Sequence, residues 1–350
     1  MKWLIEVLAV FALLSVQQTV HSQPVPRAIV NGRVVDDSTR APIPLANVFV
    51  SNSTIGTGTD SNGRFKLREV PLGSQQVVAS IVGYLPGSVM VLLRDSTART
   101  LEIRLKARPV QMPAVEIEAR DPAEWRENLK RFLKTFFGST TNSLKCKLLN
   151  PEVLDFLQEA EPFVATAREP LEIDNKALGY HMRCVLVHFS DSREIFQFIG
   201  LTAYSNLKPR DQTEAEQWKA NRRDAFYGSK RHFLLALLEK NTREEGFAVN
   251  RVRKDFVRNA LRRAAGSDVN PDTLLTPGEF SFQKKLSFAD LLQVVYTRRD
   301  APQISLIEMG RPQTVVYANG QTEDPLGLWT YGYWSSQRFA DLLPLDYEPE

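Results

Sequence analysis

Short β-type segments, interrupted at regular intervals, constrain the fold of residues 28–106 more than any other feature of this chain. Runs of β-branched and other apolar residues alternate there with Gly, Pro, Asp, Asn and Ser. Short strands with such frequent turn residues are typical of an antiparallel sandwich. The predicted strands are Val30, Arg33–Val35, Ala46–Val50, Gly63–Leu67, Gln76–Val82, Val89–Leu93 and Thr100–Leu105.

The stretch Gly58–Glu69, with the sequence GTDSNGRFKLRE, has some features of a calcium loop. Asp60, Asn62 and Gly63 occupy its third, fifth and sixth places, and its closing glutamate occupies the twelfth. A calcium loop of this kind lies between two helices, whereas β-type segments flank this one, and a glycine stands at its first place. The sequence therefore predicts a turn in which Asp60 and Asn62 cap the backbone and Gly63 takes a positive φ.

The order of motifs in this β-rich part resembles the carboxypeptidase D regulatory-like domain family. The motifs are G-x-V-x-D at 32–36, PIPLANVFV at Pro42–Val50, GTGTDSNGRF at 56–65, VPLG at Val70–Gly73 and SIVGYLP at Ser80–Pro86. The resemblance covers residues 28–106 and implies a small transthyretin-like β-sandwich without catalytic activity of its own. Modules of this family lie beside a peptidase domain, or precede another region of an envelope protein such as the barrel of a TonB-dependent transporter. There they aid folding or hold partners. The chain departs from the family pattern at Ser51–Asp60, SNSTIGTGTD, where the run before the aspartate is longer than is usual in the family.

Three prolines, Pro109, Pro113 and Pro122, mark a predicted linker at 107–123. The remainder, 124–350, mixes helical and hairpin-like segments, which predicts an α+β domain with antiparallel strands and a helical insertion. Several of its segments, among them GYWSSQRFADLLPLDYEP, are similar to a region of unknown function that accompanies the module in envelope proteins. The predicted helices are Trp125–Phe137, Glu214–Phe226, Lys230–Asn241 and Arg253–Ala264. The predicted strands are Leu144–Leu149, Gly179–Phe189, Glu194–Ala203, Gly278–Lys285, Val294–Thr297, Gln303–Glu308 and Thr314–Ala318.

Residues 1–22 have the pattern of a secretory signal peptide. Lys2 precedes an apolar run from Trp3 to Val16, and a polar stretch follows, with cleavage expected before Gln23. The run is too short to cross a bilayer comfortably. The sequence therefore predicts an exported protein of the periplasm or outer membrane, without a transmembrane span after cleavage. A net charge of +3 over 350 residues is too small to favour a nucleic-acid partner.

Cys146 and Cys184 both lie in predicted strands. In an oxidising compartment an even pair of cysteines is a candidate disulfide, and two buried free thiols are the alternative.

The histidines argue against a zinc peptidase, the chemistry that the family name suggests. After the predicted cleavage the chain retains only His181, His188 and His232. A zinc site needs imidazoles and a carboxylate that converge, but His181 and His188 are predicted to project to opposite faces of one strand. No metal and no cofactor are predicted.

The segment YGSKRHF places Ser229, Lys230 and His232 close together. Adjacent side chains point apart on a helix, so Ser229 is predicted to be an N-cap rather than a nucleophile. No catalytic residue is predicted. The basic segment Arg253–Ala264 is predicted to be a surface helix packed on a sheet, with an anionic membrane or glycan contact as the alternative.

Four aromatic residues, Trp329, Tyr331, Tyr333 and Trp334, form the candidate ligand-binding surface. An extended strand would align the first three on one face, where they could stack on a sugar or bury a peptide. The alternative is that they pack in the core beside Trp218 and Phe226.

These features together predict a non-enzymatic, exported envelope protein that acts as a scaffold or binding module. Its predicted partner is an outer-membrane or periplasmic protein. The alternatives are a glycan- or peptide-binding protein that uses the C-terminal aromatics, and a hydrolase with an unrecognised site.

Overall fold

The computed structural model describes residues 27–108, 122–157, 161–192, 195–256, 260–263 and 265–349. The predicted signal peptide 1–22 and most of the predicted linker 107–123 lie outside the described residues. Within the described part, no helix is long and apolar enough to cross a membrane.

The N-terminal part is a β-sandwich, as predicted. Its strands are β1 (Arg27–Asp36), β2 (Asn47–Val50), β3 (Gly56–Gly58), β4 (Arg64–Pro71), β5 (Gly73–Ser80), β6 (Gly87–Leu93) and β7 (Arg99–Leu105). One sheet has the order β4-β1-β7 and the other the order β3-β2-β5-β6. Alternate residues of both sheets, such as Val34, Val77 and Ile103, point inwards and form one apolar core. The pair β1/β7 is parallel, whereas the other pairs are antiparallel.

The predicted turn in Gly58–Glu69 is confirmed for Asp60 and Gly63, whereas the Asn62 side chain caps no backbone group among the described residues. The Asp60 carboxylate oxygen Oδ1 accepts hydrogen bonds from the backbone N–H groups of Asn62 and Arg64, both at 2.8 Å. Gly63 has a φ of +70°, and a Cβ atom there would lie 2.6 Å from the carbonyl oxygen of Val34. The turn therefore requires both the aspartate and the glycine.

The C-terminal part is an α+β region with three sheets. Its helices are α1 (Pro122–Phe137), α2 (Gln212–Phe226), α3 (Lys230–Glu239) and α4 (Tyr333–Ser336). Its strands are β8 (Cys146–Leu148), β9 (Leu154–Leu157), β10 (Phe163–Ala167), β11 (Leu171–Asn175), β12 (Tyr180–Asp191), β13 (Phe196–Asn206), β14 (Phe247–Val252), β15 (Ser267–Asp268), β16 (Leu275–Pro277), β17 (Gln283–Leu286), β18 (Leu291–Tyr296), β19 (Gln303–Met309), β20 (Thr314–Tyr317) and β21 (Leu328–Gly332).

The first of these sheets is built around the long strand β12. One edge of β12 pairs with β11 and, near its end, with β10, while β13 pairs with the other edge. Because β8 pairs with β11, β8 and β13 lie at opposite edges of the sheet. Helix α1 covers one face, where Phe132 and Phe136 are buried and their ring centroids are 4.9 Å apart. Their spacing of one helical turn explains why both reach the same core.

The helical insertion, α2 and α3, lies between β13 and β14 in the chain. Side chains cap both helices: Asp211 accepts from the N–H of Glu214, and Ser229 accepts from the N–H of His232 at 3.1 Å. The prediction of Ser229 as an N-cap is therefore confirmed. Helix α3 packs on the sheet of order β15-β14-β18-β19-β21, where Phe233 is fully buried.

The predicted helix Arg253–Ala264 is wrong at its start, whereas Ala260 is helical. Strand β14 continues to Val252, and a short 3₁₀ turn, Lys254–Phe256, follows it. Residues 257–259 and 264 lie outside the described residues. Phe247 and Val249 are buried two residues apart, which is the period of a strand. Pairing with β18 therefore places the residues just before this basic segment, up to Val252, in a sheet.

Candidate functional site

The loop Ser51–Ile55, which connects β2 to β3, joins the sandwich to the C-terminal region. The N–H of Asn52 donates to the carbonyl oxygen of Thr202 at 2.7 Å, and the N–H of Tyr204 donates to the carbonyl oxygen of Ser53 at 3.0 Å. The loop thus runs parallel to the free edge of β13 and extends its sheet. This loop lies in the stretch where the sequence departs from the family pattern.

Local interactions hold this loop in shape. Asn52 has a left-handed φ of +59°, a conformation that Asn tolerates better than most residues. Its side-chain oxygen accepts from the N–H of Thr202 at 3.3 Å. The hydroxyl of Ser53 donates to the carbonyl oxygen of Val50 at 2.9 Å and accepts from the N–H of Ile55 at 3.1 Å. Both side chains therefore fix the backbone that pairs with β13.

The C-terminal tail, residues 342–349, binds the other side of the same loop. The N–H of Leu345 donates to the carbonyl oxygen of Asn52 at 2.7 Å. The Asp346 carboxylate accepts from the N–H of Thr54 at 2.9 Å and also from the Thr54 hydroxyl. The loop is consequently held between β13 and the tail; we call this contact the junction.

Arg231, on helix α3, holds the tail in place. Its guanidinium donates to the carbonyl oxygens of Pro344 at 3.3 Å, Leu345 at 2.5 Å and Tyr347 at 3.1 Å, and also to that of Asn319 at 3.1 Å. Burial lowers the pKa of Arg231 to about 10, although the carboxylates of the tail oppose this shift. The side chain therefore remains charged at neutral pH, and it satisfies carbonyl groups of a segment that is neither helix nor strand.

The junction is a packed contact. The cavity at its centre is about 10 Å³ and is lined in part by Gln75, Asn319 and Leu345. Ligand pockets are typically about 300–1,000 Å³, so this cavity is far too small for one. A second contact nearby places the Arg94 guanidinium 4.8 Å from the ring centroid of Phe280. The arrangement is suited to holding two parts of one chain together.

The four predicted aromatic residues do not form one surface. Strand β21 ends at Gly332, so Tyr333 begins helix α4 and is not aligned with Trp329 and Tyr331. Trp334 is only 5% exposed, and its indole N–H donates to the carbonyl oxygen of Gly228 at 2.7 Å. The predicted alignment of three rings is therefore wrong, because the chain turns at a glycine with a φ of +75°.

Trp334 packs in the core, as the alternative prediction had it, but its ring contacts a residue other than Trp218 and Phe226. The Trp334 ring lies 5.5 Å from that of Phe233. Trp218, which is on α2, instead donates to the carbonyl oxygen of Lys176 at 3.0 Å. The Tyr331 hydroxyl donates to Glu308 at 2.9 Å, and burial, reinforced by this carboxylate, raises the pKa of Tyr331 to about 12. Sequence spacing alone contains no signal for these long-range partners.

His181 is held between two carboxylates on the outer face of the first sheet. Its Nδ1 lies 2.8 Å from Asp174 and its Nε2 lies 3.1 Å from Glu172. Glu172 also accepts from Arg183 at 2.7 Å. The hydrogen bond to Glu172, with help from Asp174, raises the pKa of His181 to about 8. The histidine is therefore largely protonated at neutral pH and forms a cross-strand charge network.

The prediction that His181 and His188 face opposite sides of β12 is wrong. The register shifts between Leu186 and His188. Because this β-bulge inserts one extra residue, Cys184 and Phe189 both face the core, and the two histidines both lie on the other face. They have different neighbours, since His188 contacts Ser190 at 3.1 Å.

His232 is a buried residue of α3, and its ring lies 5.1 Å from that of Phe226 at the end of α2. Its Nδ1 accepts from the N–H of Gly228 at 3.1 Å, and its Nε2 lies 3.1 Å from Glu245. Burial lowers the pKa of His232 even though Glu245 opposes it, so the neutral ring donates through Nε2. Among the described residues no group of three or more His, Cys, Asp and Glu side chains is placed to hold a metal ion.

The candidate disulfide between Cys146 and Cys184 is not formed; as in the alternative, both are free thiols. Cys146 is on β8 and Cys184 on β12, with β11 between them. Two strand spacings amount to about 9.5 Å, whereas bridged cysteines have Cα atoms less than about 7 Å apart. Burial is the main cause that raises the pKa of each thiol to about 12.

Residues 30–117 match the family model of the CarboxypepD_reg-like domain. No curated protein matches the chain. Among solved structures, an interface mutant of a cohesin–X-dockerin complex from Acetivibrio cellulolyticus is 27% identical, over 21% of this chain and 51% of that chain, with a TM-score of 0.19. The pilus 2b backbone protein of group B streptococcus is 16% identical over 24% of this chain and 42% of that chain, with a TM-score of 0.21. A DUF3823 family protein from Parabacteroides merdae is 10% identical over 51% of this chain and 81% of that chain, with a TM-score of 0.20.

The match covers about half the length of the first of these structures. TM-scores of this size support no inference from those structures to this chain. The family match, in contrast, covers nearly all of the two sheets formed by β1–β7. Residues 30–117 are therefore a CarboxypepD_reg-like domain, carried by a chain whose larger, α+β part is attached to it through the loop Ser51–Ile55.

Proposed function

We propose that this protein is a non-enzymatic, exported protein of the bacterial cell envelope. In this proposal the CarboxypepD_reg-like sandwich is a scaffold on which the C-terminal region folds and is held. The C-terminal region then presents a surface to a periplasmic or outer-membrane partner.

The junction is the observation that supports the scaffold role. One short loop of the sandwich supplies hydrogen-bonding groups to the edge strand β13 and to the C-terminal tail. The edge strand would otherwise expose unpaired N–H and C=O groups, which promote aggregation. By covering that edge, the sandwich stabilises the sheet and protects it from wrong pairing.

The contacts of the candidate catalytic groups support a structural role for them. Both ring nitrogens of His232 have partners, in Gly228 and Glu245. The Ser229 hydroxyl oxygen accepts from a backbone N–H at the start of α3. Since His232 has no nitrogen available for His188, the pair that a hydrolase hypothesis would use does not fit these contacts.

Export is tested with the full chain fused at its C-terminus to alkaline phosphatase, an enzyme that becomes active only outside the cytoplasm. The fusion is expected to be active, and the fusion without residues 1–22 inactive. The mature chain is expected to begin at Gln23. An uncleaved chain recovered from the cytoplasm contradicts the proposal.

The scaffold role is tested by expressing residues 124–350 with and without the sandwich. We expect residues 124–350 alone to aggregate or to be degraded, and residues 28–106 supplied as a separate chain to restore soluble protein. If residues 124–350 unfold alone with the same cooperativity and midpoint as they do in the full chain, the scaffold role is wrong.

A further inference from the structure

A groove lies between the C-terminal turn of α1 and strand β8. We call it the β8 groove; its lining residues are Leu133, Lys134, Phe137, Gly138, Ser143, Cys146, Lys147 and Leu148. Its volume is about 350 Å³, which lies within the range of ligand-binding clefts.

One wall of the groove is an unpaired strand edge. On its other side, β8 pairs with β11, where the N–H of Leu149 donates to the carbonyl oxygen of Glu172 at 2.8 Å. The N–H of Lys176 likewise donates to the carbonyl oxygen of Lys145 at 3.0 Å. Residues alternate between the two edges of an antiparallel strand, so the N–H and C=O of Leu148 point into the groove. Within the described part of the chain, β8 is the last strand at this end of its sheet.

The side chains of the groove combine an apolar floor with a positive rim. Leu133, Phe137 and Leu148 supply the floor, and the exposed Lys134 and Lys147 stand at the rim. None of the lining residues is acidic. Neither lysine has an ion-pair partner among the residues that the structure describes. The rim is therefore positive and favours an anionic occupant.

The two faces of β8 differ in chemistry. Leu148 is 8% exposed and belongs to the core beneath α1, whereas Lys147 lies opposite Asp174 on the outer face. A strand added to β8 would continue both faces, because its side chains also alternate. Its inward residues would contact Leu133 and Phe137, and its outward residues would lie near Lys147.

We propose that the β8 groove binds an extended peptide segment of a partner protein in which apolar and acidic side chains alternate. The peptide backbone pairs with the N–H and C=O of Leu148, its apolar side chains fill the floor, and its acidic side chains contact the lysines. This inference goes beyond the scaffold role, because the groove lies at the opposite edge of the sheet from the junction. In the complete assembly, the sandwich loop extends the sheet at β13 and the partner peptide extends the same sheet at β8.

Calorimetric titration of the full chain with a short, capped peptide that alternates valine and glutamate tests the proposal. The matched control peptide has lysine in place of glutamate, and we expect it to bind at least about tenfold more weakly. The double variant Lys134→Glu, Lys147→Glu is expected to lose at least about tenfold in affinity for the acidic peptide and to bind the basic peptide better. Lys106→Glu, an exposed lysine of the sandwich, is the control variant and should leave both affinities unchanged.

The strand-addition mode has its own readout. Binding of the acidic peptide should slow hydrogen exchange at the Leu148 amide, and methylating the peptide's backbone nitrogens should abolish binding without changing its charge. Decanoate is the small-molecule probe. If decanoate and the methylated peptide both bind as well as the unmodified peptide, the groove is a site for small apolar anions and the proposal is overturned. Equal binding of the acidic and basic peptides, or no binding of either, also overturns it.

Discussion

The carbonyl oxygen of Asn52 and the N–H of Leu345 form a 2.7 Å hydrogen bond that ties the sandwich to the last residues of the chain. The N–H of the same asparagine donates to Thr202 on β13, also at 2.7 Å. One residue of a hairpin loop therefore connects an edge strand and the C-terminal tail, which are far apart in sequence.

The Thr54–Asp346 contact predicts a small, specific loss of stability. Thr54→Val keeps the shape of the side chain but removes the hydroxyl that donates to Asp346. The free energy of unfolding should fall by about 0.5–1.5 kcal/mol, measured by urea denaturation. Thr100→Val is the control, because the hydroxyl of this exposed strand residue has no hydrogen bond within the described chain. An equal effect of both substitutions would show that the Thr54 contact contributes nothing.

Arg231→Met should destabilise the protein far more than Thr54→Val does. The substitution retains an apolar stem but leaves the carbonyl oxygens of Pro344, Leu345 and Tyr347 without their donor. Hydrogen bonds to charged groups contribute about 1.5–3 kcal/mol each, and not additively, so we expect a loss of about 3 kcal/mol. Limited proteolysis should then cut the tail first.

Arg243→Met is the matched control for this substitution. Its ion pair with Asp268 is exposed, with 68% and 70% of the two side chains accessible, and such pairs contribute about 0–1 kcal/mol. If Arg243→Met destabilises as much as Arg231→Met, the contact between Arg231 and the C-terminal tail has no special role.

The His181 network predicts that stability falls at alkaline pH. The pKa of His181 is raised from 6.5 to about 8, so the folded protein holds this proton more tightly than the unfolded chain. Its stabilising contribution is therefore complete below about pH 6.5 and is lost as the pH rises through about 8. His181→Gln should destabilise the protein more near pH 6 than near pH 9, measured as the free energy of unfolding at each pH. A difference between wild type and variant that does not change over this range contradicts the assignment.

Two free thiols are expected. Alkylation in denaturant without a reductant should modify both Cys146 and Cys184, as mass spectrometry will show. In the native protein Cys146 should react first, because it is partly exposed whereas Cys184 is fully buried. Both reactions should be slow, since only thiolates react and burial raises both pKa values to about 12. A chain that resists alkylation until it is reduced would instead contain the disulfide.

Local patterns in the sequence were sufficient for the sandwich and for one helix cap. The short β-type runs with their turn residues, the Asp60–Gly63 turn and the N-cap at Ser229 each depend on residues close together in the chain. Helix α1 was predictable for the same reason, since Phe132 and Phe136 are one turn apart.

Features that depend on distant residues were predicted poorly. Strand β14 is fixed by its pairing with β18, which the basic composition of its surroundings concealed. The bulge in β12 places His188 on the same face as His181. The local spacing of residues contains no signal for a bulge. The aromatic alignment failed at Gly332, where a single positive φ redirects the chain.

The junction itself had a partial signal in the sequence. The stretch Ser51–Asp60 was the one place where the chain departed from the family pattern, and it contains the loop that contacts β13 and the tail. The departure marked the position of the contact, but the partners of the loop could be identified only from the fold.

Native-state hydrogen exchange at the amides of Tyr204 and Leu345 tests the central claim most directly, because both donate to carbonyl oxygens of the sandwich loop. The account predicts that both are protected in the full chain. Both should lose protection together in Asn52→Pro, since proline cannot adopt the left-handed φ of +59°, and both should keep it in Asn52→Gly, since glycine can. Exchange of these two amides in the wild-type protein as fast as in an exposed loop would contradict the claim that the sandwich holds the C-terminal region.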